Sequence, residues 1–144
     1  MPEPRTSIKS ILGFDFGMKR IGVAIGQTIT ATARPLDVLP ALNGAPNWED
    51  VSRLIEEWQP QALVVGQPLA MDGSSSDITK AAKRFGNRLN GRYHLPVFSM
   101  DERLSSREAE NMQRDGEART QSVDSIAAAI ILQSWLEEYK RNND

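Results

Sequence analysis

The first 40 residues alternate between apolar and small or polar positions, a pattern that predicts β-strands. In SILGFDFG, the leucine and phenylalanine side chains fall on one face, and Asp15 falls on the other with Ile11 and Gly13. The short GMK link and the apolar segment RIGVAIG that follows it predict a hairpin. TATARPLDVL is a third extended segment, and its Pro35 suits an edge strand.

The spacing of apolar residues changes to that of helices in the rest of the chain. Asn47 and Pro60 are the predicted N-cap and stop signal of a helix whose apolar face holds Val51, Leu54, Ile55 and Trp58. The continuous apolar run ALVVG is typical of a central parallel strand. A second helix is predicted over residues 77 to 90, and LPVFSMD predicts another strand.

Two more helices are predicted near the end of the chain. Ser105 and Glu108 form a capping box for a short helix reaching Arg114. The segment SVDSIAAAIILQSWLEEYKR is apolar nearly all round in its first half and predicts a largely buried helix. The order of elements predicts an α/β fold with a mixed five-stranded sheet, an antiparallel meander followed by parallel strands, flanked by helices. Its 144 residues fit a single domain, 1–144, with 1–7 and 141–144 as flexible ends.

Composition limits the chemistry that is open to the chain. Cysteine is absent and His94 is the single histidine, so a metal would be bound mainly by oxygen ligands. No apolar run reaches the length of a membrane span, and MPEPRTSIKS lacks the apolar core of a signal peptide. We therefore expect a cytoplasmic protein that makes no use of a membrane. The net charge of −2 gives no overall attraction to nucleic acid, although a local cluster can outweigh it.

Three acidic positions stand out against this background. Burial would raise the pKa of Asp15 unless a cation or hydrogen-bond donors compensate, and an Asp that accepts N–H bonds from the following turn is an equal alternative. Asp101 and Glu102 would point to opposite faces of a strand, and we favour Glu102 for its longer reach. The alternative places both in a solvated loop, with Arg103 as an ion partner.

Asp124 has a structural interpretation and a functional one. With Ser122 as N-cap, it occupies the second helical position, where the helix dipole stabilises a negative charge. Ala127 and Ala128 on the same face would let the helix approach the sheet closely. Asp15, Glu102 and Asp124 would then converge as an all-oxygen site for Mg²⁺ or Mn²⁺. Such a site suits phosphodiester hydrolysis, whereas a Ser-His-acid arrangement has little support in this sequence.

The second predicted helix carries a cluster of basic residues. Between Ile78 and Met100 no acidic residue interrupts the cations, which are Lys80, Lys83, Arg84, Arg88 and Arg92. Three of them follow i, i+4 spacing, and such a stripe is typical of phosphate binding, although a solvated helix face explains it equally well. Tyr93 and His94 are candidates for base stacking, or, for Tyr93, for the core.

Four segments resemble the motifs of the YqgF or RuvX family. They are DFGMKRIGVAIG at 15 to 26, VVGQPLAMDG at 64 to 73, DERLSSREAE at 101 to 110 and VDSIAAAIIL at 123 to 132. The resemblance implies an RNase H-like fold related to the resolvase RuvC, and a metal-dependent nuclease that processes the 5′ end of pre-16S rRNA in the cytoplasm. It also assigns the acidic triad to Asp15, Glu102 and Asp124. The chain lacks the lysine that often precedes the final motif, which leaves Arg119 as the remaining cation there.

Other classes of protein share parts of this pattern. DFGMKRIGVA also resembles the phosphate loop of sugar kinases and actin-like ATPases, which need a second such domain that is not seen here. A non-catalytic RNA-binding assembly factor and a Holliday junction resolvase remain open, and the resolvase requires a symmetric dimer. We favour a nuclease acting on structured RNA, with branched DNA as the other substrate, as a monomer or weak dimer. Lys19, Arg20 and Arg103 join the basic helix as predicted nucleic-acid contacts.

Overall fold

A computed structural model describes residues 8–67, 77–101 and 120–142 of the chain. Within these ranges there are six strands and three helices. In chain order they are β1 (Ser10–Asp15), β2 (Arg20–Gln27), β3 (Thr32–Leu42), β4 (Ala45–Pro46), α1 (Trp48–Trp58), β5 (Ala62–Gln67), α2 (Asp77–Tyr93), β6 (Val97–Asp101) and α3 (Thr120–Asn142).

The strands form one mixed sheet in the order β4-β3-β2-β1-β5-β6. Strands β1 to β4 pair in an antiparallel meander, whereas β1, β5 and β6 run parallel. The expected α/β class is confirmed, but the expectation of five strands is wrong. The sixth strand, β4, exists because Asn43 and Gly44 take positive φ angles of 52° and 83°, which turn the chain back so that two residues pair with the end of β3.

Helices cover both faces of the sheet and enclose two apolar cores. The face of β1 that carries Leu12 and Phe14 packs against α1 and α2. The opposite face, which carries Ile11, packs against α3 through Ile131 and Leu132. Because β5 lies between β1 and β6, Val64 and its neighbours are buried on both faces, as the apolar run predicts.

The limits of α1 agree with the sequence signals. The side chain of Asn47 accepts a hydrogen bond from the backbone N–H of Glu49 at 3.0 Å, which confirms it as the N-cap. Gln59 takes a left-handed conformation with φ of 45° and ends the helix before Pro60.

Both α2 and α3 differ from the expected bounds. Helix α2 continues past residue 90 because Leu89 and Tyr93 extend its apolar face, and the hydroxyls of Tyr93 and Ser52 form a hydrogen bond of 2.7 Å. Helix α3 begins at Thr120, so Ser122 lies inside it and is not the N-cap. Of the expected flexible ends, residues 141 and 142 belong to α3, while 1–7 and 143–144 lie outside the described residues. The helix predicted between Ser105 and Arg114 also lies outside them.

Helix α3 approaches the sheet very closely at its N-terminal part. Ala127 and Ala128 are buried, as their small size predicts. A Cβ atom added to Gly22 of β2 would lie 2.0 Å from the carbonyl oxygen of Asp124. Only glycine therefore fits at position 22 without a shift of the helix or the strand. None of the helices in the described ranges is long and apolar enough to cross a membrane.

We predict that Gly22→Ala destabilises the protein, because the new methyl group would collide with backbone rather than with a movable side chain. Overpacking of this kind typically costs about 1–3 kcal/mol. Gly91→Ala is the matched control, since a Cβ there meets nothing within 4 Å and alanine favours a helix by roughly 0.5–1 kcal/mol. Urea unfolding should show opposite shifts for the two variants, and similar midpoints would contradict the close approach of α3.

Candidate active site

The carboxyl ends of the three parallel strands lie along one edge of the sheet. Asp15 is the last residue of β1 and is in register with Gly66 of β5, which in turn is in register with Met100 of β6. Asp101, the last residue of β6, is one position farther along the same edge. Ligands of α/β sheets commonly bind outside the carboxyl ends of the strands.

Two glycines flank Asp15 on the face that α3 covers. Asp15 is in register with Gly22 on one side and with Gly66 on the other. Because a glycine presents no side chain, neither neighbour in this row of the sheet places a side chain beside Asp15. The backbone of Asp124 uses the space above Gly22, so residue 124 is placed beside Asp15.

The two carboxylates influence each other. Burial, followed by the negative charge of Asp15, raises the pKa of Asp124 above its usual value, and Arg20 opposes the shift. The Arg20 Nε atom lies 3.6 Å from Asp124 Oδ2, which is too long for a good hydrogen bond. Oδ2 is itself buried and accepts no hydrogen bond from the part of the chain that the structure describes. Asp124 is therefore a half-buried acid with a nearby positive charge and one buried, unsatisfied oxygen.

The position of Asp124 differs from the sequence expectation. It is the fifth residue of α3 and lies beyond the first turn, which holds no acidic residue. Stabilisation by the helix dipole, which falls off within that turn, therefore does not account for it. The structural interpretation of Asp124 as a first-turn acid is wrong.

Oxygen ligands are what a hard cation such as Mg²⁺ or Mn²⁺ prefers, and an unsatisfied buried carboxylate oxygen beside a second acid fits such an ion. Within residues 8–67, 77–101 and 120–142, no group of three acidic or histidine residues forms a complete site. The third predicted acid, Glu102, lies outside the described residues, as do Arg103 and Arg119. The structure therefore brings two members of the predicted triad together.

The predicted basic residues divide between two places. Lys19 and Arg20 lie where the hairpin from β1 enters β2, and Arg20 is beside Asp124. Helix α2 packs on the opposite face of the sheet from Asp15, and its Lys80, Arg84 and Arg88 are exposed. Lys83 is also exposed and lines a pocket of about 350 Å³ with Val97 and Ser99.

The aromatic residues at the end of α2 contribute differently from the sequence expectation. Tyr93 is half-buried, packs against the core and bonds to Ser52, so the core interpretation of Tyr93 is confirmed. His94 is exposed. The Arg92 guanidinium lies 4.4 Å from the ring centroid of Trp48, an aromatic contact that no local sequence pattern indicated.

Sequence reasoning missed the role of the two glycines beside Asp15. Their signal was present in RIGVAIG and ALVVG, where glycine interrupts strands made of large apolar residues. A glycine within a strand often marks a close approach by another backbone. Assigning this role to the two glycines requires the register of the sheet, which cannot be read from the sequence alone.

Comparison with known proteins agrees with this arrangement. The family described as "RuvX: Holliday junction resolvase" matches residues 9–138. The "Putative pre-16S rRNA nuclease" of Pseudomonas paraeruginosa is 52% identical over 137 residues, which cover 92% of this chain and 94% of the relative.

Two solved structures share the fold. "T. thermophilus RuvC in complex with Holliday junction substrate" aligns with a TM-score of 0.54 at 16% identity, over 91% of this chain and 95% of that one. The fowlpox virus resolvase with substrate Holliday junction DNA aligns with a TM-score of 0.56 at 15% identity, over 90% and 98%. At such identities the likeness concerns the fold alone. The family match and the identity to the Pseudomonas relative show that the chain belongs to the RuvX family.

Proposed function

We propose that the protein is a metal-dependent nuclease that processes the 5′ end of pre-16S rRNA in the cytoplasm. The observation that carries the proposal is the pairing of Asp15 with Asp124, whose Oδ2 is buried without a hydrogen bond among the described residues. Two nearby carboxylates repel each other, so this pair would destabilise the folded protein if its role were only structural. A cation that both can bind removes that cost.

Mg²⁺ or Mn²⁺ is the cofactor that we propose, with Asp15, Glu102 and Asp124 as its protein ligands. Such an ion supplies a nucleophilic water and neutralises charge on the phosphodiester. The alternation of β6 supports Glu102 over Asp101. Phe98 contacts Trp135 of α3 and Met100 packs against the core on the α3 side, so even positions of β6 share a face with Asp15.

The positive residues of the chain position the substrate in this proposal. Arg20 lies beside Asp124, so its guanidinium is placed to contact a phosphate held at the acids. Lys19 precedes it and is exposed. The basic residues of α2 bind phosphates farther along the strand, because they lie on the other face of the sheet.

RNA is the substrate that we favour because the relative at 52% identity is named for pre-16S rRNA, whereas the resolvases share only the fold at 15–16% identity. Branched DNA is the second candidate substrate, and a non-catalytic RNA-binding factor is the alternative class. A junction resolvase must cut two strands symmetrically and therefore needs a dimer.

We predict that the wild type cleaves a precursor 16S rRNA fragment when Mg²⁺ or Mn²⁺ is present. Asp15→Asn should reduce that activity by about 100-fold or more, because it removes one proposed metal ligand. Asp37→Asn is the matched control, since Asp37 is an exposed acid on β3. A four-way DNA junction is assayed alongside the RNA.

The outcomes separate the candidates. Equal cleavage by the wild type and Asp15→Asn would contradict the assignment of the acids. Cleavage of the junction alone would favour the resolvase. RNA binding without cleavage by the wild type would favour the assembly factor.

The raised pKa of Asp124 gives a second prediction. Above that pKa the ionised carboxylate destabilises the folded protein, and below the pKa of the unfolded chain this cost disappears because both states are protonated. Without metal at neutral pH, Asp124→Asn should therefore melt at a higher temperature than the wild type, by at most about 3 °C because solvent screens this partly exposed group.

Thermal melts followed by circular dichroism across the acidic range test this sign. The difference between Asp124→Asn and the wild type should shrink as the pH falls through the carboxyl range, and Mn²⁺ should stabilise only the wild type. A variant that is less stable than the wild type at neutral pH would show that Asp124 stabilises the fold.

A further inference from the structure

A pocket of about 230 Å³ lies between helix α2 and the turn that joins β3 to β4. Asn43 and Gly44 of the turn form one wall, and Arg84 and Arg88 of α2 form the other. Trp48, at the start of α1, also lines it. The pocket is on the opposite face of the sheet from Asp15, and neither acid of the candidate active site contributes to it.

The charge of the pocket favours an anion. Its two arginines are exposed, and no acidic residue of the described chain lines it. The nearby acid Glu49 lines the neighbouring pocket, together with Arg53 and Arg92. Guanidinium groups bind phosphate through paired hydrogen bonds, so two arginines one helical turn apart suit a phosphodiester.

The aromatic part of the pocket favours a phosphate over a nucleobase. Trp48 stacks on Phe85, with ring centroids 5.8 Å apart and planes inclined by 28°. Arg92 also lies over the Trp48 ring, at 4.4 Å from its centroid. Because these two contacts already occupy the ring, little of its face is left for stacking with a base.

The turn beside the pocket is fixed to the turn that carries the basic residues of the active site. Gly44 donates its N–H to the carbonyl of Met18 at 2.9 Å, and Ala41 donates to the carbonyl of Lys19 at 2.8 Å. Met18 follows Asp15 by three residues. The Cα atoms of Asp15 and Gly44 are therefore within about 18 Å, from the reach of an extended chain.

We propose that this pocket is a second phosphate-binding subsite, which holds one backbone phosphodiester of a nucleic-acid strand while another lies at the acids. The inference rests on the proposed function and adds a path for the substrate. The strand passes from the acids over the hairpin with Lys19 and Arg20 to Arg84 and Arg88.

The test measures binding of a labelled single-stranded RNA oligonucleotide to the wild-type protein in buffer without divalent metal. Arg84→Gln and Arg88→Gln should each weaken binding roughly fivefold and reduce the slope of log affinity against log salt by about 0.7, the value for one lost phosphate contact on a single strand. Arg53→Gln is the control, because it removes the same charge from the neighbouring pocket.

Tryptophan fluorescence gives an independent readout of the same pocket. RNA should change the emission of the wild type, and Trp48→Phe should remove most of that change, since Trp58 and Trp135 do not line the pocket. Melting temperatures of all variants establish that they are folded.

Weaker binding and a smaller salt slope in Arg84→Gln and Arg88→Gln, with little effect of Arg53→Gln, would support the subsite. Equal effects of all three variants would overturn it, because a general field and not a contact would then attract the RNA. Absence of RNA binding by the wild type would also overturn it. If RNA binds at the pocket but no substrate is cut, the proposed nuclease activity is contradicted while the phosphate subsite is supported.

Discussion

The close contact between the backbone of Asp124 and Gly22 is the constraint on which the candidate active site depends. Helix α3 can place its fifth residue beside the end of β1 only because position 22 has no side chain. Gly66, the neighbour of Asp15 on the other side, also has no side chain. The raised pKa of Asp124 follows from burial and then from its proximity to the negative charge of Asp15. A helix that lay farther from the sheet would separate the two carboxylates and leave Asp124 solvated.

The two faces of the sheet carry different charges. The acids lie on the face that α3 covers, while the exposed cations of α2 lie on the other face. The hairpin between β1 and β2 places Arg20 beside Asp124, and its Met18 and Lys19 carbonyls accept hydrogen bonds from the region of the turn beside α2. This arrangement lets a chain with a net charge of −2 attract a polyanion locally.

The sequence predicted those parts of the fold that local patterns encode. The alternation around Asp15 assigned its face correctly, and the signals at Asn47 and Pro60 gave the limits of α1. Strand β4 was missed because two residues carry no periodicity, and its pairing depends on the turn at Asn43 and Gly44. The start of α3 was misplaced because Ser122 resembles an N-cap although the helix begins two residues earlier. The pocket at Arg84 and Trp48 could not be predicted from local sequence patterns, since its walls come from segments far apart in the chain.

The central claim is that Asp15 and Asp124 together bind a divalent cation. Isothermal titration of the protein with Mn²⁺, in the absence of nucleic acid, tests it most directly. The account predicts saturable binding by the wild type that strengthens as the pH rises and Asp124 ionises. Asp15→Asn and Asp124→Asn should each weaken that binding about tenfold or more, whereas Asp37→Asn should leave it unchanged. Equal Mn²⁺ affinity in all four proteins would contradict the claim.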